Sequence, residues 1–311
     1  MAVLAFILAR IINSLNKIEA LKEGKKYHDK TVMETIFSKG FVSFLVFALV
    51  IIGVYFLATN AMHLGRQQGY QPDQPIKFSH ATHAGVNKID CQYCHDGARR
   101  SKHSVIPSAS TCMNCHRAIK KGSKYGTAEI TKIYASIGYN PITNTYIQNY
   151  ENYPQDSIKA VYSEWISQNY VEDNELAAID AEGQLFVDNQ WSDIVASLTN
   201  NVKKQVQGPI EWTRIHNLPD HVYFNHSQHV TVGKLECQTC HGKVEEMEVV
   251  EQASPLSMGW CINCHRQTAV QFANNPYYDS YQAFHDEMKA GQIEKVTVAD
   301  IGGLECQKCH Y

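Results

Sequence analysis

The amino-acid sequence predicts a mainly α-helical protein with extensive loops, made of one N-terminal transmembrane helix and a larger exported domain. Three observations support this: a charge-free apolar stretch near the N-terminus, five copies of a short cysteine–histidine motif, and an internal repeat. The chain has 311 residues, of which 44% are hydrophobic and 19% are charged, and its net charge is −3. This composition excludes a disordered polyelectrolyte and a nucleic-acid binder that works by bulk positive charge.

The transmembrane helix is predicted at 40–60, because Gly40–Thr59 is a run of twenty residues without a charge. A helix of that length rises about 30 Å, which matches the hydrocarbon core of a bilayer. Segment 1–39 carries seven Lys or Arg residues, and the next basic residue after the span is Arg66. The positive-inside rule therefore places 1–39 in the cytoplasm and the rest of the chain in the bacterial periplasm.

Two other interpretations of this stretch fit less well. A buried core helix is disfavoured, because large apolar residues surround the helix on all faces. A cleaved signal peptide would use the acceptable site Thr59-Asn60-Ala61, but its 39-residue leader and its long apolar core would be unusual. We expect an uncleaved anchor in the lipid bilayer of the inner membrane. The apolar residues 1–13 are too short to span, and we expect an interfacial or partner-packed helix there.

The ten cysteines form five C-x-x-C-H motifs, numbered here in chain order, and none is left over. Chance predicts about 0.02 such motifs in a chain of this composition. In each motif two thiols can form thioether bonds to one haem, and the histidine can bind its iron as the proximal ligand. We therefore expect five covalently bound haem c groups. The haem-binding cysteines are Cys91, Cys94, Cys112, Cys115, Cys237, Cys240, Cys261, Cys264, Cys306 and Cys309, and the proximal histidines are His95, His116, His241, His265 and His310.

Three other uses of paired cysteines fit less well. A zinc site needs four ligands, and a histidine directly after a cysteine is poorly placed to share that metal. A thioredoxin-like redox pair would need a βαβ context, and a disulfide framework would not place histidine after every second cysteine. Export of the domain agrees with haem attachment, which generally takes place outside the bacterial inner membrane. With so many haems in the core, short helices and loops are expected.

An internal repeat supplies candidates for the distal iron ligands. Residues 78–95 and 224–241 both match F-x-H-x2-H-x7-C-x2-C-H, and the two copies begin 146 residues apart. Two histidines three residues apart share a helix face broadly, yet they can address the irons of different haems. The predicted distal ligands from this repeat are His80, His83, His226 and His229.

Five six-coordinate haems need a fifth distal ligand. His103, which lies between the first two motifs, is predicted to supply it. Three alternatives stay open: Met247 and Met258, which occupy the corresponding interval of the second unit, and His216. A methionine ligand would raise the reduction potential of its haem. We expect no role in ligation for His28, His63, His221 and His285.

The exported part divides into three segments. The middle segment, 117–208, lacks Cys and His, so we expect it to be either a surface insertion or a docking face for partner subunits. Apolar spacing predicts helices at 157–170 and 191–204, while the Tyr- and Asn-rich residues 134–153 suggest an irregular loop. The expected segments are a first haem cluster with two haems at 61–116, a haem-free insertion at 117–208 and a second cluster with three haems at 209–311.

The paired histidines followed by C-x-x-C-H motifs resemble the small multihaem cytochromes of the c3/c7 type. This resemblance implies two duplicated c7-like clusters, in which the first histidine of a pair serves the haem that follows and the second serves another haem. His103 would serve the last haem of a unit, and Met247 stands at that place in the second unit. The implied pairs are His80 with His95, His83 with His116, His226 with His241, and His229 with His265.

A closer resemblance is to the membrane-anchored pentahaem subunits of bacterial alternative complex III. It rests on the anchor, the five motifs in two clusters and the stretch PIEWTRIHNLPDHVYFNHSQHV at 209–230, and it covers most of 40–311. It implies a non-catalytic respiratory subunit that carries electrons from quinol-derived centres to a downstream cytochrome or oxidase. The implied partners are integral-membrane quinol-binding subunits, an iron–sulfur subunit, and another cytochrome c or a terminal oxidase. Related subunits occur in quinone-reductase complexes, so the direction of electron flow stays open.

Two rival functions fit the sequence less well. A stand-alone membrane-anchored multihaem quinol dehydrogenase is disfavoured by the duplicated histidine units. A catalytic multihaem reductase needs an open iron position, whereas the distal histidine candidates here match the number of haems.

Overall fold

The computed structural model describes residues 2–28, 31–64 and 66–310. The chain forms two compact units, Met1–Arg66 and Gln67–Tyr311. Its secondary structure is mainly helical, and the described residues contain a single two-stranded sheet, which confirms the predicted class at that level. The α-helices are α1 (Ala2–Lys22), α2 (Val32–Ile36), α3 (Lys39–His63), α4 (Cys91–Cys94), α5 (Gly97–Arg100), α6 (Ala109–His116), α7 (Ala128–Ile137), α8 (Gln155–Asp173), α9 (Ala181–Leu198), α10 (Gln238–His241), α11 (Met258–Gln267) and α12 (Gln282–Lys289).

The first unit contains the apolar helix that the sequence predicts. Within the described residues, one helix is long and apolar enough to cross a membrane, Lys39–Met62, with a mean hydropathy of 2.8. Helix α3 begins after Ser38, whose Oγ accepts a hydrogen bond from the Phe41 N–H at 3.3 Å. Helix α1 continues to Lys22, so it is longer than the helix expected at 1–13.

The second unit contains a hydrophobic core built on α7, α8 and α9. Met113 of α6 is fully buried in the same core. Among the largest fully buried side chains there are Tyr134, Ile158, Tyr162, Ile166 and Ile194. The residues of the predicted insertion are therefore packed against the helix that carries the second motif.

The predicted irregular loop at 134–153 is wrong over much of its length. Helix α7 continues to Ile137, and the strands β1 (Tyr139–Asn140) and β2 (Thr145–Tyr146) then pair antiparallel. A 3-10 turn follows at Tyr150–Asn152. Three of the tyrosines that suggested a loop, Tyr134, Tyr139 and Tyr150, are core residues. Two of their hydroxyl groups reach main-chain carbonyls: Tyr134 Oη donates to the His116 oxygen and Tyr150 Oη to the Ala135 oxygen, both at 2.6 Å.

The end of α7 explains one of the glycines. Gly138 has φ 74°, a left-handed conformation that glycine adopts without strain, and it closes the helix. A Cβ at this position would lie 2.2 Å from the ring of Tyr150. Only glycine therefore lets the Tyr150 ring pack over the helix end.

The two other predicted helices form with different bounds. Helix α8 includes the whole of 157–170. Helix α9 ends at Leu198, before the predicted end at 204. Its continuation is prevented because Asn200 Oδ1 accepts the N–H groups of Val202 and Lys203 at 2.7 and 2.8 Å, which forms a turn.

The two repeat segments each form a short π-helical turn. We call Ala81–Val86 the first histidine turn and Gln228–Val232 the second histidine turn. The first packs on a 3-10 turn at Val244–Glu246, and the second packs on α5. Each half of the sequence therefore supports the histidine turn of the other half.

Candidate haem-binding centres

The two repeat segments have nearly the same local geometry. Phe78 stacks on His83 with ring centroids 4.3 Å apart and planes 27° apart, and Phe224 stacks on His229 at 4.5 Å and 26°. Main-chain hydrogen bonds recur at equivalent positions, from Ile89 N to His83 O and from Leu235 N to His229 O, both at 3.1 Å. The repeated sequence thus specifies a repeated backbone that fixes the orientation of its second histidine.

The repeat segments contain four histidines, and each of them lies opposite the histidine of a C-x-x-C-H motif. Metal–imidazole bonds of about 2 Å on both sides of an iron would leave the two ring centroids a little over 6 Å apart. The observed separations between ring centroids match this distance, so each pair has room for one iron. They are 6.4 Å for His80 with His95, 6.1 Å for His83 with His116, 6.4 Å for His226 with His241, and 6.1 Å for His229 with His265.

The Nδ1 atoms of most of these histidines face main-chain oxygens. A histidine that donates its Nδ1–H to a carbonyl keeps the lone pair of Nε2 free for a metal, and the bond also fixes the ring orientation. The Nδ1–oxygen pairs are His95 with Val105 at 2.8 Å, His116 with Ile119 at 2.8 Å, His265 with Gly303 at 2.7 Å, His83 with Ser79 at 2.8 Å, His226 with Lys102 at 2.9 Å, and His229 with Asn225 at 2.8 Å.

The third motif departs from this pattern. His241 Nδ1 lies 3.2 Å from His216 Nε2, and the two rings meet edge to face at 83°. His216 therefore contacts the Nδ1 side of His241, while His226 is paired with the same ring. As an alternative axial ligand, His216 would have to lie opposite a motif histidine, whereas here it is hydrogen-bonded behind one.

The C-terminal motif is placed by main-chain pairing with the segment before the second repeat. Val222 forms an antiparallel bridge with His310, and the Tyr223 N–H donates to the Cys309 oxygen at 2.8 Å. This brings the His221 and His310 rings to 5.6 Å between centroids, with planes 17° apart. His221, for which the sequence suggested no role, is therefore the histidine beside the fifth motif.

The other candidates for the fifth distal ligand lie elsewhere. His103 is exposed, and its hydrogen bonds join its main chain to Ser101 Oγ. Met258 has 65% of its surface exposed. Met247 is half-buried beside Gly242, and its carbonyl oxygen accepts from Ala81 N at 3.0 Å. His285 lies in a small aromatic cluster with Phe272, and the side chain of His63 is outside the described part of the chain.

Burial and neighbouring imidazoles keep two of the paired histidines neutral. Burial, followed by the proximity of His95 and His83, lowers the pKa of His80 to about 4. Burial, then His216, His226 and His95, lowers the pKa of His241 to about 4. The neutral imidazole is the form that binds a metal. His80 Nδ1 is buried and lacks a hydrogen-bond partner within the described residues.

Thiols of different motifs lie close enough to raise one another's pKa, and these neighbours place the motifs in a linear order. All ten thiols are free of disulfides, and burial together with neighbouring thiols raises the pKa of several of them, for example to about 11 at Cys237 and Cys240. Within the described chain no three His, Cys, Asp or Glu side chains converge on one metal position. The thiol neighbours give the motif order second, first, third, fourth, fifth; they are Cys115 with Cys94, Cys91 with Cys237, Cys240 with Cys264, and Cys261 with Cys309.

Comparison with known proteins gives one partial similarity. No protein-family model matches the chain. Over 46 residues the chain is 35% identical to the "menaquinone reductase, multiheme cytochrome c subunit" of Nitratidesulfovibrio vulgaris (strain Hildenborough). This stretch covers 15% of the chain and 22% of that protein, so the chain matches less than a quarter of the relative's length. The similarity supports, at a coarse level, a multihaem cytochrome.

Proposed function

We propose that the chain is a pentahaem c-type cytochrome subunit that relays electrons within a membrane quinol:acceptor oxidoreductase complex of the alternative complex III kind. The observation that carries the proposal is the set of four facing histidine pairs, each with one C-x-x-C-H histidine and a centroid separation of 6.1–6.4 Å. The partial similarity to a menaquinone reductase subunit supports a quinone-linked role.

The proposed roles follow from the residue types. The motif cysteines would hold each haem by thioethers, and the facing histidines would provide its two axial nitrogens. When bound, haem supplies one-electron redox chemistry. The protein contributes the axial ligands, their tautomers and the surrounding low dielectric, and the Nδ1 bonds to main-chain oxygens fix the tautomers.

The linear order of the motifs supports a relay with two ends. The second motif lies at one end, against the α7–α9 core, where Tyr134 Oη donates to the His116 oxygen at 2.6 Å. The fifth motif lies at the other end, beside the segment at 221–223. We assign these two ends to exchange with the electron donor and the electron acceptor, namely an iron–sulfur subunit on one side and another cytochrome c or a terminal oxidase on the other.

The proposed location is the bacterial inner membrane, with 1–39 in the cytoplasm and the haem-binding part in the periplasm. Helix α3 supports a single-pass anchor, because 25 residues rise about 37 Å and cover the hydrocarbon core. One helix has too little surface to enclose a quinol, so integral-membrane quinol-binding subunits should accompany the chain.

Gentle detergent purification tests this proposal. We expect five haems per chain by pyridine haemochromogen assay and mass spectrometry, with iron–sulfur and multi-span subunits in the same preparation. Quinol oxidation by the purified single chain would instead establish a stand-alone dehydrogenase. High-spin ferric haem that binds small ligands in the isolated protein would instead indicate a catalytic reductase.

For the fifth haem, we propose His221 as the distal ligand in place of His103. The support is the main-chain bridge between Val222 and His310 and the 5.6 Å separation of the His221 and His310 rings. In a H221A variant, electron paramagnetic resonance should show one of five haems turning high-spin, while the matched H103A variant should keep five low-spin haems. The reverse result would return the role to His103.

A further inference from the structure

His216 is the one side chain that takes the place of a main-chain oxygen behind a motif histidine. We infer that His216 is a positioning residue for the third motif, which accepts the Nδ1–H of His241 and lowers the reduction potential of the haem that His241 would ligate. The inference rests on the proposed function, because it requires a haem at the third motif.

The five motif histidines differ in what faces their Nδ1 atoms. Four of them face a carbonyl oxygen with Nδ1, at 2.7–3.3 Å: those of Val105, Ile119, Gly303 and His221. His241 faces His216 Nε2 at 3.2 Å instead. The comparison with His95 is the closest one, since the first and third motifs occupy equivalent positions of the repeat.

The backbone around His216 is fixed by hydrogen bonds. Arg214 Nε donates to the His216 carbonyl oxygen at 2.9 Å. Thr213 and Gln74 exchange two hydrogen bonds, both at 2.9 Å, between the main chain of Thr213 and the side-chain amide of Gln74. Asn217 Nδ2 also donates to Gln67 Oε1 at 3.3 Å. The main chain that carries the half-buried His216 ring is therefore held by hydrogen bonds on both sides.

His216 differs from a main-chain oxygen in its strength as a hydrogen-bond acceptor. For His241 to bind iron through Nε2, its Nδ1 carries the proton and donates it, so His216 Nε2 must be the unprotonated nitrogen. An imidazole nitrogen is a stronger base than a peptide oxygen, so it draws the Nδ1 proton of His241 more strongly. His241 then becomes a more basic iron ligand, which favours the ferric state and lowers the potential.

Two variants of the full-length protein separate this role from simple packing. H216F keeps a ring but removes the acceptor, whereas H216Q keeps an acceptor. Outer-sphere partners of metal ligands typically change metal-site properties by about 10-fold or more. In a spectroelectrochemical titration, H216F should shift the one-electron equilibrium of one haem about tenfold towards reduction, or about 59 mV upward. H216Q should reverse only part of that shift, because its amide oxygen is a weaker acceptor than an imidazole nitrogen. The potentials of the other four haems should be unchanged.

The control is H285L, which removes a half-buried histidine that belongs to no facing pair. The Nε2 atom of His285 lies 3.1 Å from the Tyr278 oxygen. It should leave all five potentials unchanged. Unshifted potentials in H216F with five haems bound would overturn this inference, as would one high-spin haem, which would make His216 an axial ligand. If H216F does not mature, H216L is the non-accepting variant. Absence of haem from the unsubstituted protein would contradict the proposed function itself.

Discussion

Replacing Lys132 by methionine should destabilise the second unit by about 3–5 kcal/mol, which is the cost of removing one partner of a buried ion pair. The Lys132 side chain is 3% exposed, and its Nζ lies 3.1 Å from both carboxylate oxygens of Glu129, which is 11% exposed. It also lies 2.8 Å from Asp193 Oδ2. Without the ammonium group, the Glu129 carboxylate would stay buried with the Lys77 N–H as its remaining donor, at 2.8 Å.

The matched control is Asp193→Asn, since Asp193 is 57% exposed and its loss should cost about 0–1 kcal/mol. The double variant K132M/E129Q removes both buried charges and should recover much of the loss. Urea unfolding followed by far-ultraviolet circular dichroism gives the free energies. Two results would refute this prediction. One is that K132M is no more destabilising than D193N; the other is that K132M/E129Q loses as much stability as K132M and E129Q lose together.

Two further predictions concern packing and pH. Gly85→Ala should lower the melting temperature, because a Cβ there would lie 2.3 Å from the Glu245 carbonyl oxygen. The control Gly259→Ala places its Cβ in open space and should be neutral or stabilising. Equal melting temperatures of the two variants would contradict this. In the haem-free chain, whose imidazoles carry no iron, burial lowers the pKa of His80 and His241 to about 4, so the unfolded chain binds more protons below about pH 6.5. The stability of the haem-free chain should therefore fall as the pH is lowered from 6.5 towards 4, and constant urea midpoints across that window would contradict this.

The repeat could be interpreted from the sequence because its information is local. Phe78 and His83 lie within one short segment, and the stacking of the phenylalanine on the second histidine depends on neighbouring residues alone. The equivalent pair Phe224 and His229 has the same geometry for the same reason. A single charge-free stretch similarly predicts α3, because its length and composition suffice.

The position of His221 could not be obtained in this way. It lies 89 residues from His310 in the chain, and the main-chain bridge that joins their segments leaves no mark in either sequence. His221 also has no counterpart in the first repeat that would single it out. His216 carries a weak signal for the same reason, since its role depends on a ring that is 25 residues further along the chain.

The tyrosine-rich residues misled for a different physical reason. Tyrosine is amphipathic, so a segment rich in it suits a polar loop or a core that satisfies each hydroxyl. Here Tyr134 donates to the His116 oxygen and Tyr150 donates to the Ala135 oxygen, and both side chains are buried. Composition alone does not distinguish these two outcomes, because the deciding carbonyl acceptors come from other elements.

The two histidine turns are each held by contacts from the other half of the repeat, which bears on how the proposed relay is assembled. The Ala81 N–H donates to the Met247 oxygen, and the Ser227 N–H donates to the Ser101 oxygen, each at 3.0 Å. A proposed distal histidine of each half is therefore oriented by a loop of the other half, and His226 Nδ1 itself donates to the Lys102 oxygen. Neither half of the repeat holds all the contacts that orient its own paired histidines. The same interlocking places the thiols of the first and third motifs side by side, so the contact that orients the ligands also joins the two clusters into one continuous series.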